Sequence, residues 1–415
     1  MDLWHKLRAQ SAAIYLSLLV NGAVLLQVIS NLWRGEAVFK GQSAALILFF
    51  VIFSFAFVSW LGVPRRVPAS GLLSVFLTLM TVAWLAHWFL MRLHGDGTDY
   101  TAILYVPILI MIWLKPPTLR EAKVAILVFA WTVAIVLVLT RVLEMLGSLT
   151  LQAQPQGVID FDEARYFLPV NDLLGIDGRW TGPFGHNGDT AMMGALLIVI
   201  AVAFWTRSSW VFIAVGGFAL LLTNGRASIG ATIAGMIVIV VFAKEGRIAR
   251  IPRTLRLWGG GAALLLGAIL MYSMAAGSTG RSTFWPAFLK LWESAPLVGI
   301  GSSGIASSGG VTGQYLHAHN MYIDELARNG LLGFITQYGA ITLGVVITVL
   351  AAKRGLAGPL AIMTAYLVTG ITEPRNGWMS PTATGMLVIL VVVTAGVALQ
   401  RDYVPKVAQV ASKNT

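Results

Sequence analysis

The sequence contains no cysteine and few charged residues. None of its 415 residues is cysteine, which excludes disulfide bonds, thiolate nucleophiles and thiolate metal sites. Only 11% of the residues are charged, whereas 57% are apolar. A soluble domain could not bury that much apolar surface, so the composition predicts a polytopic membrane protein with a single integral domain over residues 1–415. A nucleotide-binding motif, a low-complexity tract and a clear internal repeat are also absent.

Long apolar runs account for most of the chain. A helix needs about 20 apolar residues to cross the hydrocarbon core. The runs predict an all-α fold of about twelve transmembrane helices. The predicted spans are 11–32, 43–62, 69–91, 100–114, 122–146, 190–206, 208–223, 227–243, 256–276, 330–352, 356–371 and 382–400. The first run lacks a small-residue cleavage site near a short core, so we expect it to be retained as a span.

The basic residues are unevenly divided between the loops. With the N-terminus in the cytoplasm, 18 of the 29 Lys and Arg residues fall on the cytoplasmic side, and five of these lie in KEGRIARIPRTLR, residues 244–256. This positive-inside pattern predicts that both termini are cytoplasmic. Basic stretches beside spans contact anionic lipids far more often than nucleic acid, so membrane lipids are the expected partner. The opposite side carries two long loops, 147–189 and 277–329, the second with short helices between spans nine and ten.

Three arginines on the side of the long loops have no orienting role. Arg226 lies between two spans in LLTNGRASIGA, Arg281 enters the second loop in GSTGRSTFWPAF, and Arg375 lies in ITEPRNGWMSP. An arginine at mid-span costs about 2.5–3.5 kcal/mol on insertion scales, so such residues indicate function. The alternative for Arg226 is a side chain that snorkels to the interface at a helix end.

The segment after Arg281 predicts a short helix, because Ser282 or Thr283 can cap it and Pro286 is tolerated in a first turn. Its aromatic face predicts a helix that lies on the membrane or across the mouth of the bundle, with interfacial anchoring as the simpler role. This face comprises Phe284, Trp285, Phe288, Leu289, Leu291 and Trp292. Arginine near a helix start favours an anion, and the glycine-serine loop APLVGIGSSGIASSGG adds backbone N–H donors.

The stretch HAHNMYIDELARNGLLGF, residues 317–334, concentrates titratable groups at the start of a helix. Asn320 or His319 can cap this helix, which is predicted to run without a break into the tenth span. Asp324 and Glu325 suit the positive end of the helix dipole. His317 and His319 could form a metal pair, but they lack a third ligand at helical spacing. A histidine at the membrane face beside arginines suits a general base better, and a purely capping histidine is the remaining alternative.

The first long loop offers only secondary candidates. Asp160, Asp162 and Glu163 lie beside aromatic residues and could bound an acceptor cavity, although a solvated cap explains them equally well. His186 and Asp189 follow at the end of the same loop.

These motifs resemble the O-antigen ligase and polymerase superfamily of bacterial envelope enzymes. The ligase pattern of His, then Asn, Ser or Gln, nine residues and Gly-x-x-Gly is met by His319, Asn320, MYIDELARN, Gly330 and Gly333. Upstream of this pattern the family has a further block of similar sequence, which Arg281, Trp285 and the run PLVGIG resemble. Arg226 matches the position of the family's other required arginine. The resemblance covers roughly residues 220–335. Gly333 is followed by Phe-Ile, where many ligases have Thr-Glu.

The resemblance implies a GT-C-like glycosyltransferase in the bacterial inner membrane with a periplasmic active site. Such an enzyme transfers O-antigen from undecaprenyl pyrophosphate to a sugar hydroxyl of lipid A–core, with inversion and without a metal or another cofactor. Arg226 and Arg281 would stabilise the pyrophosphate, and His319 would be the base. The remaining expected substrate contacts are His317, Asn320, Arg375, Trp285 and Tyr315.

Three other functions remain open from the sequence. An O-antigen polymerase or a protein O-oligosaccharyltransferase would use the same donor with a different acceptor. A secondary transporter of anionic or lipid-linked substrates belongs to another class, but transporters usually place polar sites near the midplane of repeated halves. Here the polar residues gather towards one face.

Arg281→Lys is expected to lose much of the transfer activity, because lysine keeps the charge but not the planar fork that binds a phosphoryl group through two hydrogen bonds. Transfer rate and donor affinity of the purified variant measure this. A normal rate with unchanged donor affinity would exclude the bidentate contact.

Overall fold

The structure is a computed structural model that describes residues 2–32, 38–96, 105–146, 180–184, 186–223, 225–242, 244, 251–252, 254–262, 285–309, 317–371 and 382–400. Over these ranges the secondary structure is helical and contains no strand, which confirms the all-α fold class. The helices are α1 (Asp2–Leu32), α2 (Val38–Leu61), α3 (Gly71–Leu93), α4 (Tyr105–Leu114), α5 (Leu119–Met145), α6 (Asn187–Ala203), α7 (Ser209–Thr223), α8 (Arg226–Phe242), α9 (Trp285–Ser294), α10 (Gly301–Ser307), α11 (Met321–Lys353), α12 (Ala357–Gly370) and α13 (Ala383–Gln400). Residues 254–262 add a further helical stretch.

Several of these helices can cross a membrane. Five are long and apolar enough to do so: Ser11–Ile29 within α1, and α3, α5, α11 and α13. Shorter apolar helices accompany them, among them α4, α6, α7, α8 and α12. The protein is therefore a multi-pass membrane protein, while the count of twelve spans stays a prediction. The predicted span 256–276 lies largely outside the described residues.

Helix α13 forms the centre of the bundle. Its residues from Ala383 to Val397 are all buried, and it packs against α1, α3, α5, α11 and α12. A helix that is apolar on every side is stable only when protein or lipid surrounds it completely. Here the surrounding helices do so, and the exposed large apolar side chains lie on outer helices such as α2, α3, α5 and α7.

A second group of helices packs closely through small residues. Gly194 of α6 lies against α7. A Cβ added at Gly194 would come within 2.8 Å of the Gly216 carbonyl oxygen of α7. Gly235 in α8 likewise lies 3.0 Å from the Ala361 carbonyl oxygen of α12 at its Cβ position. Small residues allow helix backbones to approach in this way, where lipid offers no hydrophobic driving force.

One end of the bundle is rich in basic residues, and we call it the basic end. Arg66, between α2 and α3, donates two hydrogen bonds to the Glu121 carboxylate in the first turn of α5, at 2.7 and 2.8 Å. Lys115 donates to the Trp60 and Val63 carbonyl oxygens at 3.0 and 2.9 Å and so satisfies the C-terminus of α2. Lys244 donates to the Lys353 carbonyl oxygen at the same end. The basic end corresponds to the predicted cytoplasmic side, and its orientation in the cell stays a prediction.

The opposite end gathers the other helix termini, and we call it the site end. The Trp180 indole donates to the Glu144 carboxylate at 2.8 Å, and the Trp180 amide donates to the Leu222 carbonyl oxygen at 3.1 Å. These bonds hold residues 180–184, a described part of the predicted loop 147–189, against the ends of α5 and α7. Asp160, Asp162 and Glu163 lie outside the described residues.

Candidate active site

Asn320 caps α11 at the site end. Its side-chain oxygen accepts hydrogen bonds from the Tyr322 and Ile323 amides at 3.0 and 3.1 Å. Its side-chain nitrogen donates to the Ile371 carbonyl oxygen at 3.0 Å, just after α12. Of the two residues predicted to cap this helix, Asn320 is therefore the one that does so. The same side chain also connects the start of α11 to the end of α12.

His317 and His319 lie side by side immediately before this cap. Their ring centroids are 4.5 Å apart in an edge-to-face arrangement, and both residues are half-buried. His319 has a φ of 50°, in the left-handed region that residues other than glycine seldom adopt. Such a conformation persists only where surrounding contacts fix it, and it occurs most often at functional sites.

Ala318, between the two histidines, is held on both sides. Its amide donates to the Asp324 carboxylate at 3.1 Å, and its carbonyl oxygen accepts from the Trp285 indole at 3.1 Å. The alanine side chain is fully buried in a small cluster with Phe288, Leu291, Ile305 and Ala327. The apolar face predicted for α9 therefore packs, through Phe288 and Leu291, onto α10 and α11.

Asp324 belongs to a chain of polar contacts that reaches α3. Arg328 donates to the Asp324 carboxylate at 2.7 Å and to the Ser302 hydroxyl at 2.7 Å. The Ser302 and Ser303 amides in turn donate to the Asp96 carboxylate, at 2.8 and 2.9 Å. Partial burial acts to raise the pKa of Asp96, but the two amide bonds, a hydrogen bond from the Ser303 side chain and the nearby His94 together outweigh it and leave that pKa below its ordinary value. Asp324 thus has specific partners beyond the helix dipole that the sequence suggested.

Glu325 points to another side of α11 and is also buried. It is 1% exposed and accepts a hydrogen bond from the Asn329 side chain at 2.8 Å. The same Asn329 nitrogen lies 3.4 Å from the His87 ring of α3. The two adjacent acids therefore make different contacts. Asp324 bonds to the backbone before α11, and Glu325 bonds to Asn329, which lies against His87 of α3.

Helix α11 is broken at Gly330, which has a φ of 61° and a ψ of −163°. Residues 296–300 insert at the break: the Leu331 and Leu332 amides donate to the Pro296 and Leu297 carbonyl oxygens, each at 2.9 Å. In return the Ile300 amide donates to the Ala327 carbonyl oxygen at 3.0 Å. We call this arrangement the backbone clamp. The sequence predicted a helix that runs from Asn320 into the tenth span without a break. The structure has a break at Gly330, because bonds to the backbone of residues 296–300 replace the helical ones there.

The two glycines of the motif have separate roles. A Cβ at Gly330 would lie 2.5 Å from the Gly299 and Val298 amides, and a Cβ at Gly299 would overlap the Arg328 carbonyl. A Cβ at Gly333 would overlap Asn329 and come within 2.9 Å of the Glu325 carboxylate. Gly330 therefore makes room for the backbone clamp, and Gly333 makes room for the buried acid.

Arg226 lies at the same end of the bundle as His319. It is the first residue of α8 and is half-buried, and a Cβ at the preceding Gly225 would overlap Ala191 of α6. From α6, the Met192 sulfur accepts the Thr369 hydroxyl of α12 at 3.4 Å.

A second contact completes the connection from Arg226 to the histidines. A Cβ at Gly370, the last residue of α12, would overlap the Met321 sulfur at the start of α11. An unbroken series of contacts thus joins the start of α8 to the residues next to His319. His186 caps α6 at this end by accepting the Gly188 amide at 3.1 Å, with Asp189 in the first turn.

Other predicted site residues lie outside the described residues, namely Arg281, Tyr315 and Arg375. Trp285 is described, and its indole contacts the Ala318 backbone. Over the described ranges, no three His, Asp or Glu side chains are grouped as a metal site would need.

Residues 211–337 match the O-antigen ligase family model. We call this matched region the O-antigen ligase domain. This domain runs from α7 through α8 to the first turns after the Gly330 break, and it contains Arg226, the backbone clamp and His319. A search of curated proteins gives no match to the chain.

Contacts outside the O-antigen ligase domain were missed by sequence reasoning. Two residues just after α3, His94 and Asp96, hold the loop, and the His94 ring nitrogen lies 3.1 Å from the Gly299 carbonyl oxygen. Their signal in the sequence is a pair of titratable residues, HGD, at the end of a predicted span. That signal does not identify a partner about 200 residues away.

Gly330→Ala is expected to destabilise the protein by about 3 kcal/mol, for two reasons. Alanine is strained at the positive φ of this position, and its Cβ would overlap the residues of the backbone clamp. Thermal unfolding in detergent and the rate of proteolysis within residues 295–310 measure the effect. Gly339→Ala is the matched control in the same helix, since nothing lies within 4 Å of its Cβ position. Equal stability of the two variants would contradict the role given to Gly330.

Proposed function

We propose that this protein is an inverting glycosyltransferase that moves O-antigen from undecaprenyl pyrophosphate to a sugar hydroxyl of lipid A–core. The observation that carries the proposal is that the O-antigen ligase domain contains both Arg226 and His319, and that both lie at the site end. The proposal places that end in the periplasm of the bacterial inner membrane. The proposed reaction needs a cation that stabilises the leaving group and a base that removes the proton of the acceptor hydroxyl. Arg226 can supply the cation, and His319 can supply the base.

The cation would act on the pyrophosphate. In the reaction the bond between the anomeric carbon and the pyrophosphate oxygen breaks, and negative charge develops on the departing lipid pyrophosphate. A guanidinium group stabilises that charge through paired hydrogen bonds, and more so in the transition state than in the bound donor. Arg226 is the first residue of α8 and would supply this guanidinium, and the N-terminal amides of the same helix also favour an anion. Arg281 is proposed as its partner from the sequence.

The base would act on the acceptor. His319 takes the proton of the sugar hydroxyl while the oxygen forms the new glycosidic bond on the opposite face of the anomeric carbon, which inverts its configuration. The neutral form of an imidazole has an unprotonated ring nitrogen that can accept that proton. His317, with its ring 4.5 Å away, and Asn320 would orient the groups around it.

His319→Ala is expected to abolish transfer of glycan from a purified undecaprenyl-pyrophosphate-linked donor to purified lipid A–core, because the acceptor hydroxyl keeps its proton. Product is followed by gel shift of the lipid A–core band. The acceptor-free reaction is the control that separates the functions: donor joined to donor would indicate a polymerase, and donor flux into proteoliposomes without any acceptor would indicate a transporter. Full activity of the variant would exclude His319 as the base.

Transfer is expected to continue after exhaustive chelation, because arginine rather than a metal ion is proposed to stabilise the leaving pyrophosphate. The measurement is the transfer rate of chelated and untreated enzyme in metal-free buffer. Loss of activity that a divalent ion restores would instead favour a metal held by His317 and His319.

A further inference from the structure

We propose that Trp285 and Asp324 are positioning residues that hold the two peptide groups around Ala318 and thereby fix the orientation of His319. This inference rests on the proposed function, in which His319 is the base. Trp285 is thereby given a role other than substrate binding, and Asp324 a role other than helix-start electrostatics. We call the two hydrogen bonds to Ala318 the alanine bracket.

The alanine bracket fixes two successive peptide planes. The Ala318 amide belongs to the plane shared with His317, and Asp324 accepts its hydrogen at 3.1 Å. The Ala318 carbonyl belongs to the plane shared with His319, and the Trp285 indole donates to it at 3.1 Å. With both planes held, the backbone of Ala318 has little freedom. The plane that enters His319 therefore has a set direction.

The other side of His319 is held by the helix cap. Asn320 follows it directly, with its side chain bonded to two amides of α11 and to Ile371. The Asp324 amide also donates to the Asn320 carbonyl oxygen at 2.9 Å. His319 thus lies between the alanine bracket and a fixed helix start, which explains how a left-handed φ of 50° persists. Without such contacts the conformation costs about 1–3 kcal/mol.

Burial makes the alanine bracket effective. Ala318 is fully buried, and Asp324 is 2% exposed. Water therefore competes little for the bond to Asp324, which is buried, while the bond from Trp285 is partly buried. A bond in a medium of low dielectric constant is stronger than one at the surface. The buried methyl group of Ala318 packs with Phe288 of α9, and this contact keeps the Trp285 end of α9 in place.

Asp324 has its own support. Arg328, one helical turn later, donates to it at 2.7 Å, and the Ser302 hydroxyl accepts from the same guanidinium at 2.7 Å. This bond between two charged groups fixes the carboxylate with one oxygen towards Ala318. The contact series continues from Ser302 to Asp96, so the direction of His319 depends on the loop being seated on α3.

The expected effect is on the chemical step. A displacement of about 1 Å in a reacting group can reduce the rate about 100-fold without a change in binding. Trp285→Phe keeps the ring but removes the donor, and a tenfold fall in kcat is expected with KM for the donor unchanged. Asp324→Ala removes the acceptor, and a fall of about 100-fold is expected. Asp324→Asn keeps one acceptor oxygen and should fall between wild type and Asp324→Ala.

The experiment compares these variants with two matched controls in the full-length protein, using the purified lipid-linked donor and lipid A–core. Trp60→Phe makes the same change at the basic end, where the Trp60 indole donates to the Met111 carbonyl oxygen at 3.0 Å. Ser302→Ala removes the hydroxyl that accepts from Arg328 and should lower kcat. Its control is Ser307→Ala, because the Ser307 hydroxyl donates to the Gly304 carbonyl oxygen within α10. Both controls should keep wild-type kcat.

A solvent deuterium isotope effect separates positioning from a loss of folded protein. If His319 is misaligned, proton removal limits the rate more strongly, so the isotope effect on kcat should rise in Trp285→Phe and Asp324→Asn. A smaller folded fraction lowers the apparent kcat and leaves the isotope effect unchanged. That result would overturn the inference, as would a rise in donor KM with unchanged kcat.

His319→Ala distinguishes this inference from the proposed function. If that variant is inactive while Trp285→Phe and Asp324→Ala have wild-type kcat and isotope effect, the alanine bracket has no positioning role and the proposed base stands. If His319→Ala is fully active, the proposed base is wrong and the inference fails with it.

Discussion

A polar backbone at the edge of a bilayer needs hydrogen-bond partners within the protein, and the break in α11 satisfies this need with a neighbouring segment. The Leu331 and Leu332 amides and the Ala327 carbonyl lose their helical partners at Gly330, and residues 296–300 replace them. The loop is therefore bonded into the helix rather than packed against it. Because the same loop carries Trp285 and Ser302, the contacts that surround His319 depend on this backbone exchange.

The site is thus built from three separate parts of the chain. The segment after α3 holds the loop through His94 and Asp96, and the loop contributes Trp285 and Ser302. The start of α11 contributes Asp324, with the two histidines just before it. Arg226 reaches the same end through α6 and α12 rather than through the loop. The proposed cation and the proposed base are consequently positioned by different parts of the protein. A change in the loop should affect His319 first and Arg226 less.

The sequence predicted the features that have local causes. The all-α class follows from the apolar runs, the cap at Asn320 follows from the helix-start pattern, and the short helix after Arg281 follows from Pro286 and its apolar spacing. The break at Gly330 could not be read in this way, because MYIDELARNGLLGF is a continuous helical pattern and one glycine is tolerated in a helix. What decides the break is the Pro296–Ile300 backbone, about 30 residues earlier, together with the close approach of Gly299. The role of Asp96 was inaccessible for the same reason, since its partners Ser302 and Ser303 are far away in the chain.

The complete burial of α13 has a consequence for how the protein is made. This helix touches α1, α3, α5, α11 and α12, and a ribosome completes it after all of them. The surfaces that those five helices present to α13 are therefore synthesised before the helix that covers them. Their native contacts with it can form only after residues 383–397 have been translated.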